Sequence, residues 1–504
     1  MSTTFETTLL EFHTDKMPFK YNEISENTFG ILTIKPNKCK PITIPIVIQC
    51  TIDISDSMNE PSDYNNNSKH SRNKVDFIKQ TLTKMLPYLL ENFNMEIWIQ
   101  IGLFNTIYST LIPLEILTSE NLEYLLEKID SIRCCGCTNI EEALKGSSEI
   151  IKTNIGKHPD HKHLHIFLTD GNPTDGSNSE CELSKLVSSE YPTLFIGYGD
   201  DHNSQLLKAC SNKLLHSYQY VDNFEITGLV YAEMLYSLIY TAVEKPTIVV
   251  EAGQIYDALN DIWTNKLELP AFVSEKEYIY HILSSNTDDV IIQIYDKEND
   301  LLEIVPSLPR LISEDGSFET TKLDKYIFKQ KTMELLSGIL KINDSDDIDR
   351  KKTIKIKKEE ISDFYKVIRA YMRENELLED PFMKVLCEDL HISYQTANTH
   401  YAEMNILSRR NAQATQGLYR SGSSNRRHTE PVYTPNIGRL NSRNTYDFED
   451  EYNDDEDTQI EEYLNPVINI EDANDSIETY QDDFVTQNIY SPNGMVKMGR
   501  NISD

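Results

Sequence analysis

The segment Asp53-Ile54-Ser55-Asp56-Ser57-Met58-Asn59 follows the apolar run 46–52 without a break. Such a run reads as a buried strand. The Asp-x-Ser-x-Ser at its end puts one carboxylate and two hydroxyls on a single tight loop. All three are hard oxygen donors, the ligand type that Mg2+ takes. Alone the pattern is weak, but two further donors stand downstream. Thr138 lies in Gly136-Cys137-Thr138-Asn139, ahead of a helical pattern with Ile140, Ala143, Leu144, Ser147 and Ile150 on one face. Asp170 closes the apolar strand 164–169 and is followed by Gly171. In an open α/β sheet the loops beyond the carboxyl ends of the strands converge on one crevice. Asp53, Ser55, Ser57, Thr138 and Asp170 are therefore the candidate metal-ligating residues.

The elements that must carry them follow from spacing. Val75, Ile78, Leu82, Met85, Leu86 and Leu89 predict an amphipathic helix over 74–92. Residues 95–105 read as a strand and 107–117 as its hairpin partner. Leu122, Leu125, Leu126, Ile129 and Ile132 mark a second helix. Thr138 and Glu141 fit a capping box for the third. Residues 193–197 are another buried strand and 224–243 a final helix. Alternation of strands and helices implies an α/β fold with a doubly wound, mostly parallel sheet.

Those five donors, in that order and context, resemble the metal-ion-dependent adhesion site (MIDAS) of von Willebrand factor type A (VWA) domains. The resemblance covers roughly residues 44–243. It implies a bound Mg2+, or Mn2+ or Ca2+, touched directly by the hydroxyls and often reached by the aspartates through water. It also implies an open coordination position that an acidic side chain of a protein partner fills. That is a binding function: the expectation is a non-enzymatic, cation-dependent scaffold, with no general base or nucleophile near the site. Cys137 departs from the family pattern, which usually has a second glycine there. A side chain at that point is able to narrow the loop or tilt Thr138.

Two wider resemblances give alternatives. Residues 196–203 are similar to a segment of intracellular ubiquitin-ligase proteins that carry this domain, with Asp200 and Asp201 bordering the metal face. A RING needs separated pairs of Cys and His ligands. Cys134, Cys135 and Cys137 have no second pair after them, so a ligase of that type is excluded, and free thiols are expected. The overall layout, including 412–417, looks like proteins of this class in large DNA viruses of amoebae, which implies a virion or virus-factory role.

The rest of the chain is read from composition. Of 504 residues, 81 are acidic and 48 are Lys or Arg, a net charge of −33. Phosphate neutralisation dominates nucleic-acid affinity, so no nucleic-acid partner is expected, although 390–400 superficially resembles a helix-turn-helix recognition helix. His158, His161, His163 and His165 read as a solvated loop running into a strand. The N-terminus lacks the basic start and apolar core of a signal peptide. No stretch of about twenty apolar residues offers a membrane span, and a cytoplasmic protein is expected. Short strands in 1–43 and 246–312 flank the α/β unit and suggest that it is inserted in a β-sandwich. Residues 319–412 read as a helical bundle packed on that sandwich. Residues 409–443 hold seven arginines, and 441–504 hold 17 acidic against 3 basic residues. Such a segment buries too little apolar surface to offset its ordering entropy, so 415–504 is expected to be disordered.

Overall fold

A computed structural model of the chain describes residues 4–21, 24, 26–61, 73–199, 202–221, 227–307, 322–343, 350–397 and 402–415. The chain opens with β1 (Phe5–Phe12) and β2 (Thr28–Pro36), then enters the α/β unit. Six strands build its sheet: β3 (Ile46–Asp53), β4 (Ile97–Phe104), β5 (Tyr108–Ile116), β6 (Lys162–Thr169), β7 (Thr193–Tyr198) and β8 (His216–Val221). Their order is β5-β4-β3-β6-β7-β8. Every neighbouring pair is parallel except the β4–β5 hairpin. Strand order reverses between β3 and β6, which run side by side from Ile46↔Lys162 to Ile52↔Leu168. Every residue of β3 is buried, as expected of a strand covered on both faces.

Helices cover both faces. Residues of α1 (Lys74–Asn92), α2 (Leu122–Asp130) and α6 (Thr227–Ile239) share one apolar cluster with Ile46, Ile48, Cys50 and Ile52. On the other face α3 (Ile140–Lys157), α4 (Glu180–Leu186) and α5 (Ser204–Ser211) pack with Phe104, Phe167 and Phe195. Because side chains alternate along a strand, Ile166 and Leu168 serve the first cluster while Phe167 serves the second.

After α6 the chain returns to β structure: β9 (Thr241–Glu244), β10 (Thr247–Glu251), β11 (Gln254–Asp257), β12 (Ile262–Thr264), β13 (Lys266–Glu268), β14 (Ala271–Val273), β15 (Tyr278–Ser284), β16 (Ile291–Tyr295) and β17 (Leu301–Pro306). One sheet runs β1-β2-β15-β11-β12 and another β13-β10-β16-β17, while β9 pairs with β14. Leu10, Leu32, Ile34 and Ile282 of the first sheet share a core with Ile248, Val250, Ile292 and Ile294 of the second. The two sheets form a sandwich, and the α/β unit is an insertion between β2 and β9. At the junction the Ile42 N–H donates to the Ile239 carbonyl at 2.9 Å.

Four helices follow: α7 (Asp324–Asn343), α8 (Arg350–Glu374), α9 (Pro381–Thr396) and α10 (Ala402–Thr415). The bundle sits on the sandwich through α7, where Leu323 and Ile327 pack with Phe29, Ile31 and Leu283. There His13 Nε2 meets Asp324 Oδ1 at 2.8 Å and His281 Nδ1 meets Gln330 Oε1 at 2.7 Å. It also packs on the α/β unit, because α10 lies against α5 and β8. The bundle therefore bridges the two units, where the sequence placed it on the sandwich alone.

Local expectations shift in three places. The cap of α3 is Asn139, whose side chain accepts from the Glu142 N–H at 2.9 Å; Glu141 accepts instead from the Ser177 N–H at 2.8 Å. The helix read over 224–243 ends at Ile239, and 241–244 pairs as β9. Of the stretch 390–400 that resembles a recognition helix, 390–396 is the C-terminal part of α9, with Leu390, Ile392, Ser393, Tyr394 and Thr396 buried. His165 is not solvated: it is buried in β6, with Nε2 3.0 Å from Thr51 Oγ1. Among the described residues no helix is long and apolar enough to cross a membrane. The acidic segment 441–504 lies outside the described residues.

Candidate metal centre

The reversal of strand order between β3 and β6 leaves a crevice beyond their carboxyl ends. Asp53 is the last residue of β3, and Asp170 directly follows β6. Both are fully buried. Ser55 caps a single helical turn, Asp56–Asn59, that carries Ser57 back over the strand end. The Ser55 N–H donates to Asp53 Oδ1 at 2.8 Å. The Ser55 and Ser57 hydroxyls are 3.1 Å apart, and Ser57 Oγ donates to Asp170 Oδ1 at 2.7 Å. Four of the five residues named from the sequence thus form one continuous hydrogen-bonded chain.

Thr138 reaches the same place from the α2–α3 loop. A Cβ built on Gly171 would stand 3.3 Å from Thr138 Oγ1 and 3.7 Å from Ser57 Oγ. Both hydroxyls therefore face one glycine whose missing side chain leaves them room. The loop holding Thr138 is fixed by backbone contacts: the Asp56 N–H donates to the Gly136 carbonyl at 3.0 Å and the Cys135 N–H to that of Ile54 at 2.8 Å. Gly136 has a φ of +86°, a conformation that glycine adopts without strain. The Thr138 N–H donates to Thr174 Oγ1 at 2.8 Å, and the Thr174 N–H returns to the Thr138 carbonyl at 2.9 Å. Cys137 is exposed while Thr138 is buried, so the thiol position does not keep Thr138 out of the cluster.

Two contributors stand outside the motif. Thr169 Oγ1 donates to Asp53 Oδ2 at 2.6 Å. Lys74, at the first position of α1, places its ammonium 2.7 Å from Asp170 Oδ2 and 3.6 Å from Glu60. A cation in the first turn of a helix opposes the helix dipole, and that placement is the clue by which Lys74 was open to detection. Burial, and then the charge of Asp170, push the Asp53 carboxyl up to about 7, while hydrogen bonds from Thr169 and Ser55 pull it down.

The donor set fits a hard divalent cation. It offers two carboxylates and three hydroxyls, all oxygen, with no soft or imidazole ligand among them. Two buried like-charged carboxylates are costly side by side, and a cation relieves that cost. Among the described residues no group of three or more His, Cys, Asp or Glu is placed to share an ion. Cys134 is half-buried, its thiol pushed up to about 12 mainly by burial, while Cys135 and Cys137 are exposed. His158 and His161 pack against Trp98 with tilted rings, the centroids 4.6 and 6.1 Å away. In the segment that resembles ubiquitin-ligase proteins, Asp200 and Asp201 lie outside the described residues. The adjacent His202 meets the Gly199 carbonyl at 2.8 Å and the Tyr218 hydroxyl at 2.5 Å.

Residues 49–232 match the family model of the von Willebrand factor type A domain, and the chain carries such a domain. A von Willebrand factor type A protein from Catenulispora acidiphila superposes with a TM-score of 0.47 at 12% identity, over 77% of this chain and 90% of that one. The ArnB paralog VWA2 from Sulfolobus acidocaldarius does so with a TM-score of 0.44 at 15% identity, over 82% and 98%. The PilB minor pilin from Streptococcus sanguinis gives 0.31 at 14% identity, over 43% and 75%. No curated protein sequence matches the chain.

Proposed function

We propose that this protein is a non-enzymatic scaffold that binds a protein partner through a divalent cation, Mg2+ or in its place Mn2+ or Ca2+. Asp53, Ser55, Ser57, Thr138 and Asp170 are the residues that would hold the ion. When bound, it supplies a Lewis-acidic position to which an acidic side chain of the partner adds. The chain's own part is to fix the donors. Thr169 and the Ser55 N–H orient Asp53, Ser57 orients Asp170, and Gly171 leaves room beside Thr138. The observation that carries the reading is the meeting of three hydroxyls and two buried carboxylates at the strand-order reversal of a VWA domain, commonly a protein-interaction module. All eight cysteines are free thiols, the form that a reducing compartment maintains. That supports a cytoplasmic setting, whether in a cell or in a virus factory.

Isothermal titration of Mg2+ and Mn2+ into the full chain tests the site. Wild type is expected to show one saturable event that Asp53→Ala removes, above the weak background of the other acidic residues. Equal heats from the two proteins count against it. A pull-down in Mg2+ against EDTA then tests the dependence of partner capture on the ion.

A further inference from the structure

Lys74 is the most unusual charge in the α/β unit. It is only 4% exposed, and its ammonium stands at the helix end that carries partial positive charge. A buried ammonium persists where it is paired, and Lys74 is paired with a residue of the candidate site itself. The two oxygens of Asp170 are divided. Oδ1 faces the hydroxyl cluster through Ser57 at 2.7 Å, while Oδ2 faces the Lys74 ammonium at 2.7 Å. Glu60, on the loop leading into α1, flanks the same ammonium at 3.6 Å and is partly exposed. Asp53 is held by neutral donors instead: its oxygens accept from Thr169 and from the Ser55 N–H.

We propose that Lys74 is a resident cation of the metal site, which balances Asp170 in the ion-free protein and thereby lowers the site's affinity for a divalent ion. The inference rests on the metal reading above and adds its regulation. The charges make the argument. Asp53 and Asp170 present two negative charges to an entering ion, and Lys74 cancels one of them at close range in a poorly solvated place. Removing the ammonium makes the site one unit more attractive to a dication and leaves two buried carboxylates unbalanced in its absence. The lysine thus trades metal affinity for a domain that folds without metal. A lysine that merely tied α1 to β6 would behave differently: its loss would lower stability equally with and without the ion and leave affinity unchanged.

The experiment compares the full-length wild type with Lys74→Met, Lys74→Gln and Lys74→Arg by Mg2+ titration calorimetry and by thermal unfolding in EDTA and in saturating Mg2+. Asp53→Ala sets the background from the rest of the chain. Lys74→Met and Lys74→Gln are expected to bind Mg2+ about tenfold more tightly or better. They should also melt lower in EDTA and recover most of that loss in Mg2+, whereas Lys74→Arg tracks wild type. Lys74→Gln keeps a hydrogen-bond donor for Asp170 without charge, so it secures the affinity comparison if Lys74→Met folds poorly. Unchanged or weaker binding by the uncharged variants, or an equal Mg2+ shift in all proteins, overturns the proposal while leaving the metal site standing. If wild type and variants alike take up no Mg2+, the metal reading falls and this inference falls with it.

Discussion

Asp53 and Asp170 are held by side chains far away in sequence, and that distance decides which residues a reader of the sequence finds. The five donors carry local signals: a strand-ending carboxylate, a Ser-x-Ser turn, a threonine before a helix, a carboxylate before glycine. Thr169 carries none, and Lys74 only its unusual place in the first turn of a helix, because their partners lie 116 and 96 residues away. The β3–β6 pairing brings Thr169 to Asp53, and the packing of α1 on the sheet brings Lys74 to Asp170. Thr169→Val keeps the shape of the side chain and removes the donor to Asp53 Oδ2. A buried polar atom left without its partner costs about 1–3 kcal/mol. Urea unfolding in EDTA is expected to show that loss; a change below about 0.3 kcal/mol, well under that penalty, counts against this role for Thr169.

At the scale of elements, periodicity reads the helix over 74–92 well because its apolar stripe is uninterrupted and its burial follows that stripe. It reads the end of α6 poorly. No glycine or proline stands at 240, so the helical pattern runs on, and the chain leaves it only because Thr241–Glu244 pairs with β14. A tertiary partner overrides a local preference there. The packing of α3 on the sheet rests on a comparable contact that the pattern does not display. The Tyr108 ring lies between Gly102 of β4 and Gly146 of α3; a Cβ at Gly146 would come 2.6 Å from Tyr108 Cδ1, and one at Gly102 would come 2.1 Å from the hydroxyl. Gly146→Ala gains about 1 kcal/mol of helix propensity. Retreat from Gly146 carries the ring toward Gly102, and overpacking costs about 1–3 kcal/mol, so the clash is expected to win. A lower melting temperature for Gly146→Ala, relieved when Tyr108→Leu is added, is the expected pair of results. Stabilisation by the single change would contradict it.

Across the whole molecule the bundle is the part least readable in advance. Arg409 opens an arginine-rich stretch at the end of the segment read as a bundle, and nothing in that composition predicts its burial: it is 1% exposed in α10, 3.3 Å from the buried Asp389. Arg410 donates to the Ala258 carbonyl at 3.2 Å. Composition sees charge, and the fold supplies the partners. Buried histidines give this assembly an acid sensitivity. Burial pushes His165 and His281 down to about 3, and His216 down to about 4. Each stays neutral in the folded protein while its unfolded counterpart takes up a proton near pH 6.5. Their contribution is fully present above that pH and is lost as the pH falls toward their folded values of about 3 to 4, by about 1–2 kcal/mol per group at pH 5. The urea midpoint is therefore expected to drop between pH 7 and pH 5, and His165→Gln is expected to flatten that slope. A midpoint independent of pH over this window would exclude the effect.

The Ile42–Ile239 hydrogen bond has a mechanical consequence. It clasps the two lengths of chain by which the inserted unit is joined to the sandwich, so both covalent connections leave from one point. The helical bundle, with α10 against α5 and β8, is a second mooring away from that clasp, so a partner that tugs on the crevice loads the clasp and the bundle contact together.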